Sequence, residues 1–170
     1  GIGAVIGHEF SHGFDDQGSK SDGDGNLKEW WTEEDRANFK ERTDKLVRQF
    51  DGYEALEEQF VNGQMTLGEN IADLAGLKLA YYALEKAMEG KEDPMVDGFT
   101  YQQRFFLGWA QVWHATIKDK ELERRLKNDV HSPTRYRILG PLSNMPEFHA
   151  AFGCGDGAMV LHDSLKVSIW

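Results

Sequence analysis

With 170 residues, 40% of them hydrophobic and 12% aromatic, the chain is long enough to fold around a hydrophobic core, which excludes a disordered tail. Its formal net charge of −10 disfavours nucleic acid and anionic membrane surfaces as partners, because their phosphates would be repelled. The single cysteine, Cys154, excludes an internal disulfide and a multi-cysteine zinc site. No apolar run approaches the roughly 20 residues that span a bilayer, so we expect no membrane contact by this segment.

The first predicted helix, residues 2–13, contains the run Gly7-His8-Glu9-Phe10-Ser11-His12, an H-E-x-x-H pattern. In an α-helix His8 and His12 lie one turn apart on one face, roughly 6 Å along the axis, so both imidazoles can bind one metal ion. Glu9 would project beside them and could accept a proton from a water activated by the metal, which is hydrolytic chemistry. The alternative is that two histidines share this face by chance. The hypothesis therefore depends on a third ligand.

Residues 18–27 are rich in Gly, Asp and Ser and are typical of a surface loop. Four positions of a calcium-binding loop are matched, by Asp22, Asp24, Asn26 and Glu33. The sharp turn of such a loop requires glycine at its sixth position, where this chain has Leu27. A solvated turn is therefore favoured over a calcium site.

Capping residues, apolar spacing and helix breakers predict five further helices. They cover residues 32–52, 67–88, 100–117, 119–128 and 144–152, the last capped by Asn144 and ended by Gly153. Pro133 would stop any helix shortly after His131, which places His131 on a loop. Residues 136–139 are compatible with a short extended piece, and the end of the chain with coil or an edge strand. We expect one mainly α domain over residues 1–170, with little or no sheet. Since the chain starts without methionine inside a predicted helix, we expect it to be a fragment of a longer protein.

The third metal ligand can be sought by testing known zinc-protease spacings. A third histidine in H-E-x-x-H-x-x-G-x-x-H would fall on Gly18, and a glutamate at the thermolysin-like spacing would fall on Trp31, so both arrangements fail. Glu69 remains, at the start of the long helix, with Asp73 one turn later on the same face. One carboxylate could bind the metal while the other accepts the free N–H of a ligating histidine. Alternatively, Thr66 and Glu69 form a capping box and Asp73 is a solvated charge.

Three motifs in this order resemble the neprilysin family of zinc endopeptidases. They are His8-Glu9-Phe10-Ser11-His12-Gly13-Phe14-Asp15-Asp16, Glu69-Asn70-Ile71-Ala72-Asp73 and Asp129-Val130-His131-Ser132-Pro133. The segments between them and the closing tryptophan are also similar to that family, so the likeness covers essentially the whole chain. The implied fold is a zincin-type, more specifically gluzincin, catalytic half in which the H-E-x-x-H helix meets a second ligand-bearing helix.

The resemblance also implies a role for individual residues. The implied ligands of a Zn²⁺ cofactor are His8, His12 and Glu69. Glu9 would be the general base and proton shuttle, and Asp73 would orient His8. His131 would stabilise the oxyanion and Arg137 would bind a substrate carbonyl. Taken alone, either of these last two side chains would rather be interpreted as an ordinary surface residue; their positions in the motif favour the site.

Other titratable residues match no motif of the site. The histidines His114, His149 and His162 are expected to be structural or exposed. Asp15 and Asp16 either accept a hydrogen bond from His12 or are solvated at the helix end.

The function implied by the resemblance is a zinc metalloendopeptidase that cleaves internal bonds of short to medium peptides, with apolar side chains preferred after the cut. The alternative is a catalytically incomplete metal-binding or interaction domain, because family members have an upstream edge strand and a helical lid that this chain lacks. That upstream part of the parent chain is the expected partner besides peptide substrates. An aminopeptidase is not supported, since no amine-binding motif is found here. One cysteine fits a bacterial member, and the resemblance favours an extracytoplasmic location at the cell envelope.

Overall fold

Seven α-helices and one short antiparallel hairpin account for the regular structure, which confirms the predicted mainly α class. The computed structural model describes residues 1–170. The helices are α1 (Ile2–Ser11), α2 (Glu33–Asp51), α3 (Leu67–Met88), α4 (Tyr101–Val112), α5 (Asp119–Asn128), α6 (Thr134–Ser143) and α7 (Pro146–Phe152), and the hairpin pairs β1 (Glu54–Leu56) with β2 (Gln59–Phe60). None of these helices combines the length and the apolar character needed to cross a membrane.

The long helix α3 lies at the centre of the molecule, and ten of its 22 residues are buried, nine of them in its N-terminal half, up to Leu77. Ile71 and Leu77 are fully buried in a core that also contains Leu46 and Phe50 of α2 and Trp109 of α4. Because α3 packs against α1, α2, α4 and α6, it fixes the positions of the elements around it.

Two glycines allow α1 and α3 to approach closely. An added Cβ on Gly76 would lie 2.3 Å from the backbone nitrogen of His8, and one on Gly7 would lie 2.8 Å from the carbonyl oxygen of Gly76. Real Cβ atoms do not come this close to another backbone, so the two helices can cross here only where both have glycine. This crossing brings the start of α3 next to the histidines of α1.

The C-terminal ends of α1 and α4 differ from the sequence-based prediction. Helix α1 ends at Ser11, and His12 begins a single 3₁₀ turn over His12–Phe14. Helix α4 ends at Val112, although the prediction extended it to residue 117. The segment that follows contains the β-branched residues Thr116 and Ile117, which have low helix propensity.

Residues 136–139 are helical, so the predicted extended piece is wrong. They lie inside α6, whose N-cap is Pro133. Tyr136 stacks on Tyr53 with ring centroids 4.5 Å apart, and Leu142 is buried. Tertiary packing at helical spacing therefore outweighs the strand preference of these aromatic and β-branched residues.

The prediction that Asn144 caps α7 is wrong. Asn144 lies at the C-terminal end of α6. Its Nδ2 donates to the carbonyl oxygen of Gly140 at 2.9 Å, and its Oδ1 accepts from the backbone nitrogen of Val167 at 2.8 Å. Helix α7 begins with Pro146 and ends before Gly153, whose φ of 60° places it in the left-handed conformation expected at a helix end.

The loop of residues 18–27 forms a compact turn. Oδ1 of Asp22 accepts hydrogen bonds from the backbone nitrogens of Asp24 and Asn26, both at 3.0 Å. Ser21 and Leu27 form an isolated antiparallel bridge that closes it. This is the local side-chain to backbone pairing typical of Asp in turns.

Candidate metal centre

His8, His12 and Glu69, predicted to be metal ligands, converge where α1 crosses the first turn of α3. Nε2 of His8 lies 3.1 Å from Nε2 of His12 and 3.2 Å from Oε2 of Glu69. Nε2 of His12 lies 3.6 Å from Oε1 of Glu69. One ligand atom from each residue falls within 4.8 Å of the others, so the group could hold a metal ion.

A carboxylate lies on the far side of each imidazole. Nδ1 of His8 is 2.8 Å from Oδ1 of Asp73, and Nδ1 of His12 is 2.8 Å from Oδ2 of Asp15. Asp15 is itself held by the backbone nitrogens of Gln17 and Gly18, which donate to its Oδ1 at 2.8 and 2.7 Å. In the neutral imidazoles, a proton on each Nδ1 would donate to its carboxylate. The lone pair of each ring would then be on Nε2, the atom that faces Glu69.

The alternative interpretation of Glu69 and Asp73 is wrong. Thr66 makes no capping hydrogen bond to α3; its Oγ1 donates to the carbonyl oxygen of Asn62 and accepts from Nδ2 of Asn70. Asp73 is only 1% exposed and therefore is not a solvated charge. Both carboxylates are thus free of the helix-capping role and face α1.

Arg137 lies on the opposite side of Asp73 from His8. Its Nε and Nη2 donate to the two oxygens of Asp73 at 2.7 and 2.8 Å, a bidentate pair that is buried. The ring of Trp113 covers the guanidinium, with the ring centroid 3.7 Å from Cζ. The carboxylate of Asp73 therefore connects a candidate metal ligand to the predicted substrate-binding arginine.

The predicted loop carries His131 to the same place. Its Nε2 lies 3.2 Å from Oε2 of Glu69, and its Nδ1 lies 2.8 Å from Oδ1 of Asp129. Oγ of the buried Ser132 donates to Oδ1 of Asn70 at 2.7 Å, which attaches the loop to α3. Sequence reasoning assigned no role to Asp129, Ser132 or Asn70, although all three stand inside the quoted motifs.

Glu9 is exposed and lines a cavity of about 240 Å³ beside this cluster. The cavity is also bordered by His8, His131 and Arg137, and its apolar wall is formed by Val5, Trp109 and Trp113. The predicted base, oxyanion donor and carbonyl-binding residue thus face one space. The remaining histidines lie elsewhere: His114 and His162 are exposed, and Nε2 of His149 is 3.2 Å from the carbonyl oxygen of Ser143.

The charges of the cluster influence its protonation. Burial disfavours the charged form of His8, but the carboxylates of Asp73 and Glu69 outweigh it and raise the pKa of His8 to about 9. Burial likewise opposes ionisation of Glu69, yet contact with His8 and the nearby charges of His131 and His12 lower the pKa of that carboxyl. In the metal-free state the protein therefore tends to keep a proton between these groups.

The donor set fits Zn²⁺. Two imidazole nitrogens and one carboxylate are the ligands of many catalytic zinc sites, which leave a fourth position open. The Nε2 atoms of His8 and His12 lie 3.1 Å apart, and Oε2 of the half-buried Glu69 lies 3.2 Å from Nε2 of His8. A cation between them would satisfy all of these lone pairs.

Zinc binding should release about one proton from His8 at pH 7, in addition to any from a zinc-bound water, because the ligand form of His8 is neutral while its pKa in the metal-free protein is about 9. Titration calorimetry in two buffers of different ionisation enthalpy measures this number. The contribution of His8 to this release should fall towards zero above pH 9. A heat that is the same in both buffers at pH 7 would contradict the protonation of His8.

A comparison with protein families decides where the chain belongs. The family described as Peptidase family M13 matches residues 1–166. The chain belongs to peptidase family M13. This confirms the resemblance to the neprilysin family.

Animal and bacterial proteins of known name are similar to this M13 chain. It is 41% identical over 175 residues to membrane metallo-endopeptidase-like 1 of Homo sapiens and 43% identical over 173 residues to endothelin-converting enzyme 1 of Cavia porcellus. These alignments cover 100% of this chain. They cover only 22% and 23%, respectively, of the two relatives. The crystal structure of the zinc metalloprotease ZMP1 of Mycobacterium tuberculosis matches with a TM-score of 0.96 and 45% identity, covering 100% of this chain and 27% of that one. The chain thus spans about a quarter of the length of these M13 proteins.

Proposed function

We propose that the protein containing this chain is a zinc metalloendopeptidase that hydrolyses internal bonds of short to medium peptides. The observation that carries the proposal is the convergence of His8, His12 and Glu69 at 4.8 Å or less, with Glu9 beside them on one cavity. Relatives named a zinc metalloprotease and a metallo-endopeptidase support the same chemistry. An apolar side chain after the cut suits the wall formed by Val5, Trp109 and Trp113.

The proposed mechanism divides the work among the residues of the cavity. His8, His12 and Glu69 would hold Zn²⁺, which would supply Lewis acidity towards a carbonyl and a water, with the pKa of the water lowered to about 7. Glu9 accepts the proton of the attacking water and delivers it to the leaving amine. His131 donates a hydrogen bond to the developing oxyanion while Asp129 holds the ring from the Nδ1 side. Arg137 binds a substrate carbonyl through Nη1, the nitrogen that Asp73 leaves free.

A catalytically incomplete domain is the second candidate, because the chain spans only about a quarter of the relatives it matches. Zinc content and hydrolysis of a quenched fluorescent peptide should be measured for residues 1–170 and for the full-length protein. We expect cleavage by the full-length protein. Activity there but not in residues 1–170 would identify this segment as an incomplete part of an enzyme. A zinc-loaded full-length protein that cleaves no peptide would contradict the proposal.

Removal of zinc should lower the melting temperature as well as activity, because the ion joins α1 to α3. Zinc at about 100 times its Kd would stabilise the fold by about 2.7 kcal/mol. For a domain of this size that corresponds to about 5–10 °C. Calorimetry before and after chelation, with metal analysis of each sample, checks this. An unchanged melting temperature despite confirmed zinc loss would refute the coupling.

The extracytoplasmic location remains a prediction, and it is proposed here for the full-length protein. Cell fractionation followed by immunodetection tests it. Recovery in the cytoplasmic fraction alone would contradict it.

A further inference from the structure

A second cavity, of about 210 Å³, adjoins the first. It lies between the end of α4, helix α5 and the loop of His131. Trp113, His131 and Arg137 line both cavities, so the two are separated only by side chains of the candidate site. The second cavity adds Ile117, Arg125 and Asp129 to its lining.

Arg125 gives this second cavity an excess of positive charge. Its Nε donates to Oε1 of Glu121 at 2.9 Å, and its two Nη nitrogens make no hydrogen bond. Arg124 binds the same carboxylate through Nε and Nη2, both at 2.8 Å. One carboxylate therefore faces two guanidinium groups, and the nearby carboxylate of Asp129, which attracts Arg125, accepts its hydrogen bonds from His131 instead.

The other charged residues of the cavity already have partners. Arg137 is bidentate with Asp73, and Asp129 holds His131 through both its ring and its backbone nitrogen. Arg125 is therefore the cationic side chain on this lining whose Nη nitrogens can donate hydrogen bonds to a bound anion. This stands out in a chain of net charge −10, most of whose surface would repel an anionic peptide.

We propose that this cavity is a substrate subsite for a carboxylate, which Arg125 binds through its Nη nitrogens. The inference rests on the proposed peptidase function. A planar guanidinium matches a carboxylate in a two-point contact, and Ile117 and Trp113 supply apolar surface for the adjoining methylenes. The carboxylate could come from an acidic side chain or from the C-terminus of a short peptide, and the volume suits a single residue.

Two sets of peptides distinguish these sources in the full-length, zinc-loaded protein. In the first set Glu replaces Gln, one position at a time, on each side of the cleaved bond. In the second the C-terminus is a free acid or an amide. We expect the wild-type protein to prefer one carboxylate peptide over its neutral partner by about 10-fold in kcat/KM, and Arg125→Gln to abolish that preference.

Two further variants control for indirect effects. Arg124→Gln removes a guanidinium from the same carboxylate of Glu121 but does not line the cavity, so the preference should persist. Arg125→Lys keeps the positive charge but loses the two-point contact. It should therefore retain part of the preference for carboxylate peptides that Arg125→Gln abolishes. Melting temperatures of all variants should match the wild type.

The proposal is overturned if Arg125→Gln and wild type show the same ratio between carboxylate and neutral peptides, or if Arg124→Gln loses the preference equally. Should the wild-type protein cleave no peptide, the peptidase function fails and the subsite is tested by fluorescence anisotropy with the same labelled peptides. Tighter binding of a carboxylate peptide that depends on Arg125 then supports the subsite, and equal binding of both members of every pair overturns it.

Discussion

Replacing Glu9 by Gln in the full-length protein should lower kcat by about 1,000-fold while the protein keeps its zinc. Gln has the shape of Glu but cannot accept a proton, and proton transfer by a positioned side chain contributes about 10²- to 10⁴-fold. Zinc should stay because Glu9 is not in the group formed by His8, His12 and Glu69. Metal analysis and steady-state hydrolysis of a quenched peptide measure both quantities.

The control for this variant is Glu34→Gln, the same chemical change at an exposed carboxylate of α2 that does not border the cavity. It should leave kcat and zinc content unchanged. If Glu9→Gln holds zinc and cleaves as fast as the wild type, Glu9 is not the general base and the mechanism is wrong.

Replacing Gly76 by Ala should weaken zinc binding and destabilise the fold together. The new Cβ would lie 2.3 Å from the nitrogen of His8 and 2.7 Å from the carbonyl oxygen of Ala4. Both atoms belong to a helix backbone and cannot rotate away, so α1 must move and carry its histidines with it. Overpacking of this kind costs about 1–3 kcal/mol, which corresponds to a fall of about 2–12 °C in melting temperature.

The direction of the stability change in Gly76→Ala distinguishes an effect of packing from an effect of helix propensity. Ala favours an exposed helix over Gly by about 1 kcal/mol, so a loosely packed crossing would become more stable. Gly3→Ala is the matched control within α1, because its Cβ would meet only the Cβ of Ala80 at an ordinary 3.6 Å. It should keep zinc affinity and leave the melting temperature equal or slightly higher. Unchanged zinc affinity in Gly76→Ala would show that the ligands do not depend on this crossing.

Much of the candidate site could be predicted from the sequence because it depends on spacing within single helices. His8 and His12, and likewise Glu69 and Asp73, are four residues apart, and this spacing alone places each pair on one helix face. The meeting of the two pairs could not be predicted in the same way. It depends on the close approach of Gly7 and Gly76, which no local pattern reveals.

The errors in the sequence-based prediction of the fold have a similar origin. Residues 136–139 look extended because their propensities are local, whereas their conformation is decided by contacts such as that of Tyr136 with Tyr53. Asn144 is a good capping residue by type, but hydrogen bonds to Gly140 and to the distant Val167 place it at the end of the preceding helix. The hydrogen bond from Ser132 to Asn70 likewise joins segments far apart in the chain.

Under the proposed function, the carboxylate of Asp73 would link metal binding to peptide binding. It contacts the imidazole of His8 on one side and holds the guanidinium of Arg137 on the other. A metal on Nε2 of His8 would take the place of a proton there, so Nδ1–H would still donate to Asp73 while Asp73 holds Arg137. Under the proposed function, whatever factor the ion adds to the affinity for a peptide, the peptide adds to the affinity for the ion. If that factor exceeds one, the substrate would raise the zinc-bound fraction of the protein in surroundings where free zinc is scarce.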